Sequence, residues 1–413
     1  MLRWLRRASS QAGPAASRHE EPRRSCLHEF HVARGGRMVP FAGFLLPLSY
    51  GAEGVAASHR HTRAHCSLFD VSHMLQTEVR GRHRLEFLES LCPADLRALP
   101  DNRAALSVFT HPITGGILDD LVVTRTSLGF LHVVTNAGRR AADRELLERR
   151  QAEFRAGGKD VELVFLEPEE RALLAVQGPD TERALRHLVD VDLRQLRFMG
   201  STLARLGEGP RCRLTRCGYT GEDGVEVSLG AGRAAHVLEA LLESDPGRVR
   251  LAGLGARDSL RLEAGFCLYG SDIDHTTTPV EAGLSWLIAK RRREAADFPG
   301  AQVILRQLKE GPSRRRVGLR ASMGPPVRAG ARILNEGDEV VGYVTSGGPS
   351  PTLGVNIAMG YVQSDCSAKG TRLRASVRGK TVDLEVCRLP FVPRGVARPC
   401  EDSEGPTILA MES

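Results

Sequence analysis

The apolar and polar positions divide the chain into two structured parts. Over about the first 300 residues, stretches with the two-residue period of a strand are interleaved with stretches that have helical spacing. This irregular alternation predicts mixed α+β layers. From about 300 to 395, short β-rich runs are separated by Gly and Pro, which predicts a small closed or sandwiched β-domain. These runs are 317–320, 332–335, 340–345, 357–362, 373–377 and 381–386.

One predicted strand, residues 115–124, carries Asp119 and Asp120 in its middle, and residues 130–135 complete a hairpin with it. Aspartate is poorly suited to a half-buried pleated surface. Because successive side chains of a strand point to opposite faces, one carboxylate shares the core face with aliphatic side chains. Burial raises the pKa of a carboxyl group, as functional carboxylates often require. Two interpretations stay open: a functional carboxylate, or a buried aspartate that caps a turn or pairs with an arginine.

Two later stretches also place charged residues where they need partners. A predicted strand puts Glu226 between two valines. A predicted helix puts Arg257 and Arg261 on one face, where like charges repel each other unless an anion lies nearby. Surface pairing of these arginines with Asp258 or Glu263 is the alternative.

A helix predicted from about residue 52 to 65 carries three histidines, His59, His61 and His65. The last two are four residues apart and share a helical face, as two metal ligands could. No carboxylate or cysteine completes a recognised ligand spacing, so we expect solvent-exposed histidines and no metal.

Composition excludes several classes of function. A hydrophobic fraction of 41% and a charged fraction of 26% are those of an ordinary soluble globular protein. No apolar run approaches the roughly 20 residues of a membrane-spanning helix. The net charge is +7, but aromatic residues make up only 5% and do not alternate with basic ones, so we expect no nucleic-acid binding. The nine cysteines form no Cys-x-x-Cys pair, which favours reduced thiols.

Positive charge is concentrated in three segments. Residues 1–27 are rich in arginine and serine and have no acid before Glu20, which predicts a mitochondrial transit peptide; a disordered tail is the alternative. The clusters at 290–293 and 314–316 are either solvated faces or a docking patch for an acidic partner. Residues 396–413 have no periodicity and are predicted to form a disordered tail.

Several motifs, taken in order, resemble those of the aminomethyltransferases, the T-proteins of the glycine cleavage system. The longer ones are Phe-Asp-Val-Ser-His-Met at 69–74, Gly-Ile-Leu-Asp-Asp-Leu at 116–121, Arg-Cys-Gly-Tyr-Thr-Gly-Glu-Asp-Gly-Val-Glu at 216–226 and Ala-Arg-Asp-Ser-Leu-Arg-Leu-Glu-Ala-Gly at 256–265. Shorter ones at 278–281, 359–362 and 390–393 extend the likeness to about residue 393. With its basic N-terminus, the chain is similar to the mitochondrial members.

The resemblance implies an α+β, multi-domain folate-binding fold, with two interleaved α+β domains over 28–298 and a C-terminal β-barrel domain over 299–395. It implies transfer of a one-carbon unit from the aminomethylated dihydrolipoyl arm of the H-protein to tetrahydrofolate in the mitochondrial matrix. Ammonia, 5,10-methylenetetrahydrofolate and the reduced lipoyl arm are the implied products. The P- and L-proteins complete the implied system, which involves no metal, membrane or nucleic acid at this protein.

By position in the motifs, the resemblance implies that Asp120 is the catalytic aspartate and that Glu226 and Arg257 bind folate. Four more residues occupy positions that resemble pocket-lining ones: Met74, Asn136, Tyr219 and Trp286. A buried carboxylate can accept hydrogen bonds from pterin N–H groups, and an arginine can bind a glutamyl carboxylate bidentately. We expect Asp120 to face the folate, and Asp119, on the opposite face, to be structural.

Two alternatives share the implied fold. Dimethylglycine and sarcosine dehydrogenases have a similar folate domain, but they also carry a flavin domain that 413 residues cannot hold. A non-catalytic folate-binding assembly factor has a Lys-Gly-Cys-Tyr-x-Gly-Gln-Glu signature, which residues 216–223 do not match. One departure from the family also stands out: relatives commonly end in tyrosines that reach the folate site, whereas no tyrosine follows Tyr361 here.

Overall fold

The computed structural model describes residues 21–52, 54–322, 324–377 and 379–395. Most of the predicted transit peptide and the predicted tail at 396–413 lie outside these ranges. The helices are α1 (His28–Ala33), α2 (Gly54–Ala64), α3 (Arg84–Glu89), α4 (Arg140–Ala156), α5 (Thr181–Leu185), α6 (Ala231–Ser244), α7 (Leu254–Glu263), α8 (Lys290–Ala295) and α9 (Ala301–Glu310). None of these helices combines the length and the apolar character that crossing a membrane requires.

The strands assemble into three open sheets and one closed barrel within the described residues. They are β1 (Arg23–Arg24), β2 (Gly36–Phe41), β3 (Phe44–Tyr50), β4 (Cys66–Asp70), β5 (Leu75–Arg80), β6 (Arg103–Thr110), β7 (Ile117–Arg125), β8 (Leu131–Thr135), β9 (Glu162–Leu166), β10 (Arg171–Gln177), β11 (Ser201–Ala204), β12 (Cys212–Thr215), β13 (Gly224–Gly230), β14 (Val249–Leu251), β15 (Arg314–Ala321), β16 (Arg332–Leu334), β17 (Val340–Pro349), β18 (Asn356–Gln363), β19 (Arg372–Val377) and β20 (Lys380–Cys387). The predicted α+β layers and the predicted β-domain are both confirmed.

The six-stranded sheet has the order β11-β12-β13-β10-β4-β14. One of its faces packs against helices α5 and α6, and the apolar side chains of Val225, Val227 and Leu229 on β13 lie in that core. Because side chains alternate along a strand, Glu226 and Ser228 point to the opposite face. The carboxylate that interrupts the apolar pattern therefore lies on the face away from α5 and α6.

The five-stranded sheet is antiparallel, with the order β6-β7-β8-β5-β9. Strands β7 and β8 form the predicted hairpin, which pairs Val122 with Val134 and Thr124 with His132. Leu121 and Val123 lie in a core with helices α3 and α4. Val122 and Thr124 consequently point to the opposite face of this sheet.

The two larger sheets face each other; helices α3 to α6 pack on their outer faces, and α7 packs beside the seam against Val134 and Leu173. Val122, Thr124 and His132 of one sheet line a small cavity together with Glu226 and Ser228 of the other. Strands β9 and β10 are neighbours in the sequence but belong to different sheets, so the short link between them carries the chain from one layer to the next. The resulting α/β/β/α arrangement encloses a polar seam between the two sheets.

Residues 23–27, which the sequence assigned to the transit peptide, belong to the fold. Strand β1 pairs in parallel with β3, and Leu27 is fully buried. The hydroxyl of Ser25 donates a 2.8 Å hydrogen bond to buried Asp70, which lies 3.0 Å from the Nε2 atom of His31. A buried carboxylate is stabilised by such partners. The hydrogen bond from Ser25 to Asp70 therefore helps to fix the segment before α1.

The closed barrel has the order β15-β18-β17-β16-β19-β20, and its six strands match the six predicted runs, with the run 332–335 ending one residue earlier, at Leu334. Its interior is filled by aliphatic side chains such as Leu319, Ile333 and Leu384. Helix α9 precedes the barrel, and its Ile304 packs with Val280 in a separate apolar cluster. The barrel strands thus begin at β15, after this helix.

The prediction of exposed histidines on α2 is wrong for His59, which is fully buried. Its Nε2 atom lies 3.0 Å from Oε2 of Glu263, and its Nδ1 atom lies 2.8 Å from the hydroxyl of Ser259. Arg63, one turn later, places a guanidinium nitrogen 2.9 Å from the same carboxylate. Glu263 also accepts hydrogen bonds from Thr352 in the barrel domain. The histidine therefore helps to join α2, α7 and the barrel.

The two internal basic clusters are mostly used within the fold. Arg292 is 1% exposed, and it donates to the carbonyl oxygens of Glu89 and Ala94. Arg316 donates to the carbonyl oxygens of Gly265 and Ala282. The interpretation of these clusters as solvated faces is therefore wrong for both arginines, and a docking role is left to the exposed members such as Lys290 and Arg315.

Candidate active site

Two adjacent glycines fix the path of the chain into β7. Gly115 has a φ of +69°, in the left-handed region that favours glycine. A Cβ atom on Gly116 would lie 1.9 Å from the carbonyl oxygen of His275, so a side chain cannot be accommodated there. The close backbone approach fixes the start of the strand and with it the positions of Asp119 and Asp120.

The two aspartates lie on opposite faces of β7. Asp119 is fully buried, in the row of Leu121 and Val123 that packs against the helices. Asp120 is less deeply buried and shares its row with Val122, which lines the cavity between the sheets. The carboxylate that faces the second sheet is therefore that of Asp120.

Asn136, at the end of β8, joins the two carboxylates. Its side-chain nitrogen lies 2.7 Å from Oδ1 of Asp120 and 2.9 Å from Oδ1 of Asp119. Its backbone N–H donates to Oδ2 of Asp119 at 2.9 Å. Sequence reasoning placed Asn136 at the pocket wall, and the structure adds that it is a hydrogen-bond donor to both aspartates.

Burial raises the pKa of the carboxyl groups around this strand. The pKa of Asp120 rises to about 6, although the hydrogen bond from Asn136 acts to lower it. Burial, followed by the charges of Asp143 and Asp120, raises the pKa of Asp119 well above its ordinary value. Asp143, on α4, was missed by sequence reasoning because it lies in a charged helix with no distinguishing motif; burial raises its pKa to about 7.

Asp143 is 1% exposed, and its Oδ2 atom has no hydrogen-bond partner among the described residues. It is close enough to Asp119 to raise that residue's pKa. Burial therefore raises the pKa of both carboxyl groups on the core side of β7, Asp119 and Asp143, as well as that of Asp120 on the cavity side.

Glu226, Arg257 and Tyr219 form the opposite side of the site. The guanidinium carbon of Arg257 lies 4.8 Å from the centre of the Tyr219 ring, and its Nη1 atom is buried without a hydrogen-bond partner among the described residues. Burial raises the pKa of Glu226, while the charge of Arg257 and a hydrogen bond from Cys217 lower it. The site thus offers one carboxylate and one guanidinium group with unused hydrogen-bonding capacity.

Two observations relate the two groups of residues to each other. Burial raises the pKa of Tyr219, and among the charges that act on its hydroxyl is that of Asp120. The cavity beside them is lined by residues of both sheets: Val122, Thr124, His132, Val134, Leu173, Arg213, Thr215, Cys217, Glu226 and Ser228. The structure therefore places Asp120 and Asn136 on one sheet and Glu226, with Tyr219 and Arg257, across the seam.

The other two predicted pocket residues are less central. Met74 packs on an apolar cluster that includes Val134, Leu173 and Ala256, next to the helix of Arg257. Trp286 lies in a short 3-10 turn after Leu284, and half of its surface is exposed. Among the described residues, Trp286 forms no hydrogen bond with Asp120 or Glu226. No group of three or more histidine, cysteine, aspartate or glutamate side chains in this part of the chain could hold a metal ion.

Sequence reasoning also missed Phe266. Its ring stacks on that of Tyr219, with 5.7 Å between centres and 15° between planes. Tyr219 in turn donates a hydrogen bond to the carbonyl oxygen of Cys267. Phe266 directly follows Gly265, the last residue of the motif at 256–265. Its place next to this motif is the one feature of the sequence that could have indicated Phe266.

Comparison with known proteins identifies the family. Residues 27–292 match the family model described as the GCVT N-terminal domain, and residues 314–393 match the glycine cleavage T-protein C-terminal barrel domain. The chain belongs to the aminomethyltransferase family. The two matches cover both the paired sheets and the barrel, and they confirm the resemblance that the motifs indicated.

Relatives in animals and bacteria are similar over nearly the whole chain. The chain is 53% identical to the mitochondrial aminomethyltransferase of Gallus gallus over 393 residues, which is 95% of this chain and 98% of the relative. It is 51% identical to the mitochondrial aminomethyltransferase of Homo sapiens over 92% of each chain. The crystal structure of the glycine cleavage system aminomethyltransferase T from Bartonella henselae superimposes with a TM-score of 0.83 at 40% identity, covering 91% of this chain and all of that one. The protein is an aminomethyltransferase-family enzyme of mitochondrial type.

Proposed function

We propose that this enzyme transfers the methylene unit of an S-aminomethyl-dihydrolipoyl group, carried by the lipoylated H-protein, to tetrahydrofolate. The observation that carries the proposal is the pair of opposed carboxylates at the seam. Asp120, with a pKa of about 6, faces the sheet that holds Glu226, and Arg257 of α7 lies beside Glu226. The carboxylate of Asp120 can stabilise developing positive charge. The carboxylate of Glu226, together with Arg257, can bind a ligand.

Glu226 and Arg257 suit the pterin and the rest of the folate. The N–H groups of a pterin edge are hydrogen-bond donors, and Glu226 is an acceptor with few partners of its own. The unpartnered Nη1 atom of Arg257 is a donor for a carbonyl or carboxylate oxygen. Tyr219 provides an aromatic surface beside that guanidinium group. We infer that these three residues bind and orient tetrahydrofolate.

The reaction balances without a redox cofactor. The carbon–sulfur bond of the aminomethyl group breaks, and its carbon forms bonds to N5 and N10 of tetrahydrofolate as ammonia leaves. The two protons lost from N5 and N10 are balanced by one on the dihydrolipoyl sulfur and one on ammonia. Positive, iminium-like character develops on the carbon during these steps. An ionised Asp120 near the folate nitrogens stabilises that charge and holds N5 against the carbon.

The proposed partner is the H-protein of the glycine cleavage system, working with the P- and L-proteins in the mitochondrial matrix. The relatives with which the chain aligns are named as mitochondrial aminomethyltransferases. The side chain of Lys290 is 91% exposed, and Arg315 is exposed on the first barrel strand. These two residues are among the members of the basic clusters that remain accessible to an acidic partner, and we propose that they contribute to docking.

The direct test is release of ammonia from aminomethylated H-protein with and without tetrahydrofolate. We expect tetrahydrofolate to accelerate the release and to be converted to 5,10-methylenetetrahydrofolate in equal amount. A folate-binding assembly factor of the same fold would bind tetrahydrofolate but would give no such acceleration. Absence of a tetrahydrofolate-dependent rate with intact, folded protein would overturn the proposed reaction.

A further inference from the structure

The last described residues of the chain return to the candidate site. The backbone N–H groups of Phe391 and Val392 bond to the carbonyl oxygen of Glu263, at the end of α7. The N–H of Gly395 donates to the carbonyl oxygen of Gly221 at 2.9 Å. A Cβ atom on Gly395 would lie 2.2 Å from a carboxylate oxygen of Glu222, so the backbone here passes close to that side chain. Arg394 is therefore held in a defined place beside the loop that carries Tyr219.

Arg394 completes a column of contacts that begins at Arg257. Its guanidinium carbon lies 4.8 Å from the centre of the Phe266 ring. Phe266 stacks on Tyr219, and the guanidinium group of Arg257 lies over the Tyr219 ring. Stacking on an aromatic face fixes a planar guanidinium group while leaving its N–H groups free to bind oxygen atoms.

Three arginines at this place form no direct ion pair with a carboxylate within the described residues. Most buried arginines of the chain pair with carboxylates, as Arg261 does with Asp272 at 2.6 Å. Arg257, Arg316 and Arg394 form no such ion pair in the described part of the chain. Burial, followed by the charge of Arg316, lowers the pKa of Arg394. Arg394 is also partly exposed, whereas the Nη1 atom of Arg257 is buried. The column of stacked groups thus runs from the buried guanidinium group of Arg257 to the more exposed guanidinium group of Arg394.

We propose that Arg394 binds the carboxylates of the glutamyl tail of tetrahydrofolate, at the outer end of the site. The inference rests on the proposed function, because it takes the inner end of the column as the pterin site. A dianionic tail suits these guanidinium groups without ion pairs, and the guanidinium group of Arg394 over Phe266 can bind a carboxylate with two parallel hydrogen bonds. Arg394 thereby occupies the region where relatives carry tyrosines that reach the folate.

The test compares tetrahydrofolate with tetrahydropteroate, which has the pterin and aminobenzoate but no glutamate. With Arg394→Gln, we expect KM for tetrahydrofolate to rise about tenfold, the size of one lost charge-assisted contact, with kcat changed less than twofold. The KM for tetrahydropteroate should change less than twofold. Arg394→Lys, which keeps the charge but loses the planar stacking, should lie between wild type and Arg394→Gln.

Arg149→Gln is the matched control, because Arg149 is exposed on α4 and the substitution removes the same charge. Dissociation constants for both pterins, measured by calorimetry without H-protein, should follow the same order as the KM values. Equal losses with both pterins would show a structural role for Arg394 and overturn the inference, as would an unchanged KM for tetrahydrofolate. If the proposed function itself were wrong, the wild-type enzyme would show no tetrahydrofolate-dependent rate. That outcome is distinct from both results for Arg394→Gln.

Discussion

The side-chain nitrogen of Asn136 donates a 2.7 Å hydrogen bond to Oδ1 of Asp120. The same nitrogen lies 2.9 Å from Oδ1 of Asp119, so one amide links the cavity face of β7 to its core face. A hydrogen bond to an ionised carboxylate stabilises the charged form. Asn136 therefore keeps the pKa of Asp120 from rising further in its buried environment.

Replacement of Asn136 should change how activity depends on pH. If ionised Asp120 is the active form, kcat/KM of the wild-type enzyme falls as the pH drops through about 6. Asn136→Ala removes the donor, and we expect the acid limb of the profile to move up by about one pH unit. The measurement is kcat/KM for tetrahydrofolate from pH 5 to 8.5, with Asn335→Ala in the barrel as control. An acid limb at the wild-type position would contradict this role of Asn136.

Asp143 should make stability depend on pH. Burial raises its pKa from 3.8 to about 7. The contribution of this raised pKa to the free energy of unfolding is therefore complete below about pH 4 and is lost as the pH rises through 7. Asp143→Asn removes this titration. We expect the variant to gain free energy of unfolding relative to wild type between pH 5 and pH 8, by on the order of 2 kcal/mol.

Urea unfolding at the two pH values measures this difference. The exposed Asp338→Asn serves as control, because the side chain of Asp338 is 73% exposed and pairs with Arg374 at the surface. If the free energies of unfolding of Asp143→Asn and wild type differ by the same amount at pH 5 and at pH 8, Asp143 does not titrate in this range.

The accessible basic residues should affect the partner and not the folate. We expect the double substitution Lys290→Glu/Arg315→Glu to raise the apparent KM for aminomethylated H-protein about five- to twentyfold, with less change at high salt. The KM for tetrahydrofolate should stay within about twofold of wild type. Arg149→Glu/Arg332→Glu is the matched control, since both residues are exposed elsewhere. Unchanged affinity for H-protein would exclude docking at these positions.

Local sequence patterns were sufficient for much of the fold. The six barrel strands, the hairpin of β7 and β8, and the opposite orientation of Asp119 and Asp120 all follow from the two-residue period of a strand. These features depend on neighbours in the sequence. The alternation of side chains along the strand also predicted that Asp119 and Asp120 lie in different surroundings, although it did not identify their partners.

Features that depend on distant residues were missed or wrong. His59 was expected to be exposed, but its partner Glu263 lies 204 positions away in the sequence. Residues 23–27 were excluded from the fold because their composition is basic, yet Ser25 satisfies the buried carboxylate of Asp70. Arg292 belongs to a charge run that is typical of a solvated face, and only the carbonyl groups around it explain its burial. Spacing within a sequence carries no information on such partners.

The most direct test of the account is the activity of Asp120→Asn beside that of Asp119→Asn. The measurement is the rate of 5,10-methylenetetrahydrofolate formation from aminomethylated H-protein, together with the dissociation constant of tetrahydrofolate. The account predicts that Asp120→Asn loses about a hundredfold or more in kcat while binding tetrahydrofolate within about threefold of wild type. Asp119→Asn should lose much less, because its carboxyl group faces the core. Near-normal turnover by folded Asp120→Asn would contradict the account.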